Sequence, residues 1–139
     1  MMVAYSFKRR FVNPIRVGLS RVSLSFDCPP KRQTIRGIGK RRHARPGEIV
    51  QLYYAMRTRQ CEKIGEARCT DVQNILIFVA ADRIIIGDNP AICIPAGLDT
   101  FAKSDGFADW YDMREFWREE HGDLTRPGPF VGVLIEWEP

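Results

Sequence analysis

From Ile49 to Ile94 the chain is a succession of β-branched, aromatic and aliphatic runs, each closed by a turn signal. This stretch constrains the fold most. Ile49–Met56 is rich in Val, Leu and Tyr and reads as a strand. Arg57–Gln60 is a polar turn. Lys63–Val79 reads as one long bent strand or as two, with Gly65 where a bulge would sit. Arg83–Ile86 is a strand, Gly87-Asp88-Asn89-Pro90 a turn, and Ala91–Ile94 a further short strand.

Helix signals lie outside that stretch. Val3–Phe7 is a first strand, and Asn13-Pro14 then reads as a helix start, with Asn13 at the N-cap and Pro14 at the first helical position. Gly18 reads as its stop. Leu19–Pro30 is an irregular connector, and its closing Pro29-Pro30 forbids helix. Lys31–Arg36 is extended, and Gly37, Gly39, Pro46 and Gly47 punctuate the basic loop behind it. Leu98–Lys103 is a short helix. Asp109 caps a second helix that runs to Glu120 and places Trp110, Met113, Phe116 and Trp117 on one apolar face, which we assign to core packing. Phe130–Trp137 is a closing strand with Val131, Val133 and Ile135 on one face. The expected fold is α+β, a small barrel or strongly curved sheet with short helices, in one domain spanning residues 1–139.

Composition narrows the function classes. No apolar run approaches the roughly 20 residues that span a bilayer. Met1–Phe11 has basic residues with no apolar stretch behind them, so no secretory signal, no membrane partner and a cytoplasmic location are expected. Cys28, Cys61, Cys69 and Cys93 lack the short spacing of a zinc site, and neither His43 nor His121 lies at ligand spacing from one. No metal and no cofactor is expected. The net charge of +4 is unevenly spread: most of the 21 Lys/Arg precede Cys69, whereas most of the 17 Asp/Glu follow Leu98. The densest basic run is Lys31–Arg45, a pattern that attracts polyanions.

Lys31-Arg32-Gln33-Thr34-Ile35-Arg36 is the segment with most chemistry. On an extended chain Gln33 and Ile35 face one way, and Thr34 and Arg36 the other, so an amine, a hydroxyl and a guanidinium gather near one rim. An amine at a cleft mouth loses its proton when desolvated or crowded by arginines. We expect Lys31 at the solvated rim of such a cleft. Arg36, Lys40, Arg41 and Arg42, with Tyr54, Arg57 and Arg59 beside the cleft, are candidates for phosphate contact and base stacking.

The order of short helix, Gly18, K-x-x-T-x-R at Lys31, Thr34 and Arg36, and then Pro46-Gly47-Glu48 before a strand resembles the ASCH domain, a PUA-like family. Ile64-Gly65-Glu66-Ala67 resembles that family's following barrel strand. Leu98–Trp117, with Asp105-Gly106-Phe107 inside it, resembles its late helical insert, and Phe130–Trp137 its last strand. The family reads G-x-K-x-x-E-x-R. Here the Leu19–Pro30 connector separates Gly18 from Lys31, and Thr34 stands in place of the Glu. The small N4-acetylcytidine amidohydrolases of the family also carry K-x-x-T-x-R, and their catalytic set is the Lys, the Thr and a later Glu. The resemblance implies a PUA-like cleft that binds RNA or a modified nucleoside or nucleotide. Its alternative implication is an amidohydrolase acting on N4-acylated cytidine, with Lys31, Thr34 and an acid, Asp105 or else Asp109, as the catalytic set. A ribonuclease or a protein-interaction module are further readings of the same resemblance.

Overall fold

The computed structural model describes residues 2–20, 28–121 and 128–139. Residues 21–27, the middle of the Leu19–Pro30 connector, lie outside them. The described residues form an α+β fold: β1 (Met2–Phe7), a 3-10 turn (Arg9–Phe11), α1 (Val12–Leu19), β2 (Gln33–Gly37), β3 (Ile49–Tyr54), β4 (Glu62–Phe78), β5 (Arg83–Ile86), α2 (Pro95–Ser104), α3 (Trp110–His121) and β6 (Phe130–Glu138). The six strands form one sheet in the order β1-β3-β4-β6-β2, with β5 also paired to β4. β1 and β3 are parallel, and the other pairs are antiparallel. No helix among the described residues is long and apolar enough to cross a membrane.

The sheet is strongly curved and open, not a closed barrel. Its curvature comes from β4, whose 17 residues exceed the usual 3–10 of a strand. β4 pairs with β3 through its first half, with β6 through its second, and with β5 at its end. The register breaks twice along it. Opposite Leu52–Tyr53 the partner steps from Gly65 to Lys63, beside the glycine where a bulge was expected, and a second break falls between Cys69 and Asp71. Such irregularities bend a strand and increase its twist. The terminal strands β1 and β2 thereby come within a side chain's reach, and the Arg36 guanidinium on β2 donates to the Ser6 carbonyl on β1 at 2.8 Å.

Four local expectations are corrected. α1 begins at Val12, directly on the preceding 3-10 turn, so Asn13 is an exposed first-turn residue and not the cap. Gly18 lies inside α1 and does not terminate it. A Cβ there would stand 2.4 Å from the Lys31 carbonyl oxygen, so the position requires glycine for close approach and not for a turn. Ala91–Ile94 forms only a single bridge, Ile84 to Ile92, because the Pro90 side lacks a ladder donor. On β6 the inward face carries Gly132 and Leu134, then Ile135 and Trp137, while Val131 is 54% exposed. The side-to-side shift lies opposite the break after Cys69, since Trp137 pairs with Cys69 but Glu136 with Asp71.

A single core joins β1, β3, β4 and β6 to the helices. α3 contributes Trp110, Met113 and Trp117, with Phe116 partly buried, and this is the apolar face read from its spacing. α2 starts at Pro95, earlier than expected, with proline where its missing N–H costs nothing.

Candidate functional site

The C-terminal end of α2 builds half of the site. Gly106 has φ of +95°, which glycine adopts freely. It lets the Phe107 N–H reach the Ala102 carbonyl at 2.9 Å and the Gly106 N–H reach Lys103 at 3.1 Å, a Schellman closure. Asp105 is thus the C-cap of the helix, directly after Ser104, and Phe107 turns into the core against Phe11 and Phe116. The local triplet Asp105-Gly106-Phe107 therefore combines an acid, a left-handed stop and an aromatic wall.

The other half comes from the segment leading into β2. The Lys31 N–H donates to the Pro14 carbonyl at 2.9 Å, and Arg32 Nε donates to the Gly18 carbonyl at 2.9 Å. α1 therefore holds the Lys31 backbone N–H and the Arg32 side chain, and the Lys31 carbonyl between them lies against Gly18. From that anchor Lys31 Nζ donates to the Asp105 carbonyl oxygen at 2.5 Å and to Asp105 Oδ1 at 3.2 Å. A cation also suits the negative end of the α2 dipole. Gln33 Nε2 donates to the same Oδ1 at 3.3 Å. Arg36 Nε donates to Thr34 Oγ1 at 3.1 Å, and its guanidinium lies over the rings of Tyr5 and Phe7.

Lys31, Thr34, Arg36 and Asp105 all line one cleft of about 290 Å³, with aromatic walls from Phe7, Phe11, Phe107, Phe116, Trp117 and Phe130. Lys8, Glu120 and His121 line it too, and Lys8 Nζ bonds Glu120 Oε1 at 2.5 Å. Lys31 is not at a solvated rim as expected. It is 2% exposed and Asp105 5%, because α2 closes over the amine. Burial pushes the Lys31 ammonium down from its usual range, against the opposing pull of Asp105. Burial likewise pushes the Asp105 carboxyl up, against Lys31 and the Gln33 hydrogen bond. Both shifts are in the direction of the neutral forms, and desolvation is the leading cause of each. Arg36 is also pushed down by burial but stays protonated, as arginine does in proteins. The Thr34 hydroxyl lines the cleft and accepts from Arg36 Nε.

Of the two candidate acids, Asp105 meets Lys31. Asp109 does not: its Oδ1 accepts the Asp112 N–H at 2.8 Å as the cap of α3, and it lines a different cavity with Trp110 and Arg114. Of the candidate phosphate contacts, only Arg36 lines the cleft. Lys40 and Arg41 are exposed on the following loop, and Arg42 is clamped to Glu48 through two nitrogens at 2.8 and 2.9 Å. The Arg42 hydrogen bonds pull Glu48 down to about 2, so the clamp holds at neutral pH. Tyr54, Arg57 and Arg59, expected beside the cleft, are not among its lining residues. Tyr54 ends β3 and faces a separate small cavity, while Arg57 and Arg59 project from the exposed turn that follows.

Gln33 and the aromatic walls escaped the sequence reading. The signal for Gln33 was the alternation itself, since Lys31 and Gln33 share a side and both reach Asp105. Comparisons with protein-family models, with curated proteins and with solved structures find no match.

Proposed function

We propose that the cleft admits a single nucleobase and hydrolyses an acyl amide on it, as an amidohydrolase of N4-acylated cytidine. The observation that carries this reading is the buried Lys31–Asp105 contact inside an aromatic-walled cleft that Thr34 and Arg36 also line. About 290 Å³ is at the small end of ligand sites, which suits one nucleoside and not a stretch of polymer. The resemblance to the ASCH amidohydrolases supplies the substrate class, and the close packing of Gly18 on Lys31 brings together the two residues that the connector separates in sequence.

In this mechanism proton transfer to Asp105 leaves Lys31 as a neutral amine. The amine takes a proton from water as the water oxygen adds to the acyl carbon. The Thr34 hydroxyl and Arg36 stabilise the oxyanion that forms. The carbon–nitrogen bond then breaks, the Asp105–Lys31 pair returns the proton it took to the departing exocyclic nitrogen, and the carboxylic acid leaves and gives its remaining proton to solvent. Purified protein should release acetate from N4-acetylcytidine, and Lys31→Arg should not, because a guanidinium supplies no unprotonated nitrogen near neutral pH. Full rate in Lys31→Arg, or no turnover of any acylated cytidine by wild type, sinks the reading. Nucleoside binding without turnover would leave a pure binding cleft.

A further inference from the structure

Lys8, Arg9 and Arg10 are consecutive, yet the fold treats them differently. Lys8 pairs with Glu120 and Arg10 with Asp112, both on α3. Arg9 has no carboxylate partner among the described residues. Its guanidinium lies 5.4 Å from the centroid of the Tyr54 ring, which holds it in place. There it lines a cavity of about 100 Å³ with Val12, Asn13, Arg16, Tyr54 and Glu62. Phe11 lines the nucleobase cleft and the next residue, Val12, lines this cavity, so the two flank the start of α1.

The lining defines a ligand chemistry. Two guanidiniums and the Asn13 amide surround a space of one small anionic group. Arg16 spends one nitrogen on Glu62 at 2.6 Å, and the cavity keeps one uncompensated positive charge, on Arg9. That balance suits a monoanion. A dianionic terminal phosphate would set its second negative charge near Glu62. A phosphodiester carries a single negative charge and accepts hydrogen bonds from guanidinium forks.

We propose that this cavity binds the phosphodiester joining the nucleotide in the cleft to its neighbour, so a base within a single strand is held more tightly than the free nucleoside. The proposal rests on the cleft reading. Its test is calorimetric titration of wild type and Arg9→Ala at several salt concentrations with three probes: N4-acetylcytidine, its 5′-monophosphate, and a single-stranded trinucleotide with N4-acetylcytidine at its centre. Wild type should bind the trinucleotide about tenfold more tightly than the nucleoside, the increment of one charge-assisted contact. Arg9→Ala should erase most of that ratio and shrink the log–log salt slope by about 0.7, with Arg9→Lys restoring part of both. Arg9 is exposed, so both variants should fold. With the nucleoside still bound, an equal trinucleotide-to-nucleoside ratio in wild type and Arg9→Ala overturns the proposal alone. An increment as large for the monophosphate reassigns the cavity to terminal phosphates and also overturns it. Absence of nucleoside binding removes the cleft reading and this one with it.

Discussion

Lys31–Arg36 and Lys40–Arg45 are neighbouring halves of one basic run, and the fold gives them opposite environments. In the first half each charge is held by a backbone carbonyl: Lys31, buried, on the end of α2, Arg32, exposed, on Gly18, and Arg36 across to β1. In the second half Lys40, Arg41 and Arg45 stay exposed, on a loop that Glu48 ties down through Arg42 and the Arg45 N–H. Charge density along a sequence therefore does not define one functional unit. What separates the halves is whether an acceptor at a helix end or strand edge is waiting for each side chain.

The largest effect that tests this contrast is on stability. Lys31→Ala removes the partner of a buried carboxylate and should cost about 3–5 kcal/mol by urea unfolding, together with all turnover. Lys40→Ala should stay within about 0.5 kcal/mol of wild type, as solvent-exposed substitutions do. The double variant Lys31→Met with Asp105→Leu, which leaves no unpaired charge, should recover much of the stability and none of the activity. A cost below about 1 kcal/mol for Lys31→Ala would mean that the amine is not held inside, and the contrast would collapse.

Thr34→Val sharpens the contrast within the buried half. It keeps shape and branching and removes only the hydroxyl, so turnover of N4-acetylcytidine should fall on the order of 100-fold if that group meets the oxyanion. Arg36 would lose one acceptor yet keep the Ser6 carbonyl, so the fold should survive. Unchanged kcat/KM in Thr34→Val would remove Thr34 from the chemistry.

The pH dependence of stability should distinguish the two halves as well. Asp105 has its folded pKa raised, so its contribution is complete below its ordinary value of 3.8 and is lost as pH climbs through the raised value. Lys31 has its folded pKa lowered, so its contribution is complete above its ordinary 10.5 and is lost as pH falls through the lowered value. Measured against Lys31→Met with Asp105→Leu, wild type should lose stability as pH rises above 3.8 and regain it as pH approaches 10.5. Parallel curves for the two proteins would contradict burial as the dominant cause.

Much of this was legible in the sequence because the strong local signals had no competitor. The long bent run through Gly65, the apolar stripe on α3 and the Asp109 cap are each set by residues a few positions apart. Illegible features depended on distant partners. Gly18 reads locally as a helix stop, and only the return of Lys31 from beyond the connector shows that it is there for contact. Lys31 reads as solvated, and only the end of α2, far along the chain, buries it. The sequence ranks Asp105 ahead of Asp109 as the acid, and only the end of α2 meeting Lys31 decides between them. Arg9 sits in a run of like charges, and only the placement of Glu120 and Asp112 shows that it alone is left over.

The smallest effect concerns the exposed half. Arg41 carries no ion pair among the described residues, and its charge is near enough to bear on Arg36, which lines the cleft. A strand with a base in the cleft would therefore pass phosphates close to it. Each phosphate neutralised on a single strand contributes about 0.7 to the log–log salt slope of binding, so Arg41→Ala should lower that slope by about 0.7 and weaken RNA binding alike across sequences. Arg42→Ala should act differently. Arg42 already holds Glu48, so its removal frees that carboxylate and loosens the loop, and no single-phosphate decrement should appear. Equal slopes in wild type and Arg41→Ala would show that the exposed half contacts no phosphate. Recognition would then rest with the buried half, and the basic loop would serve only long-range attraction.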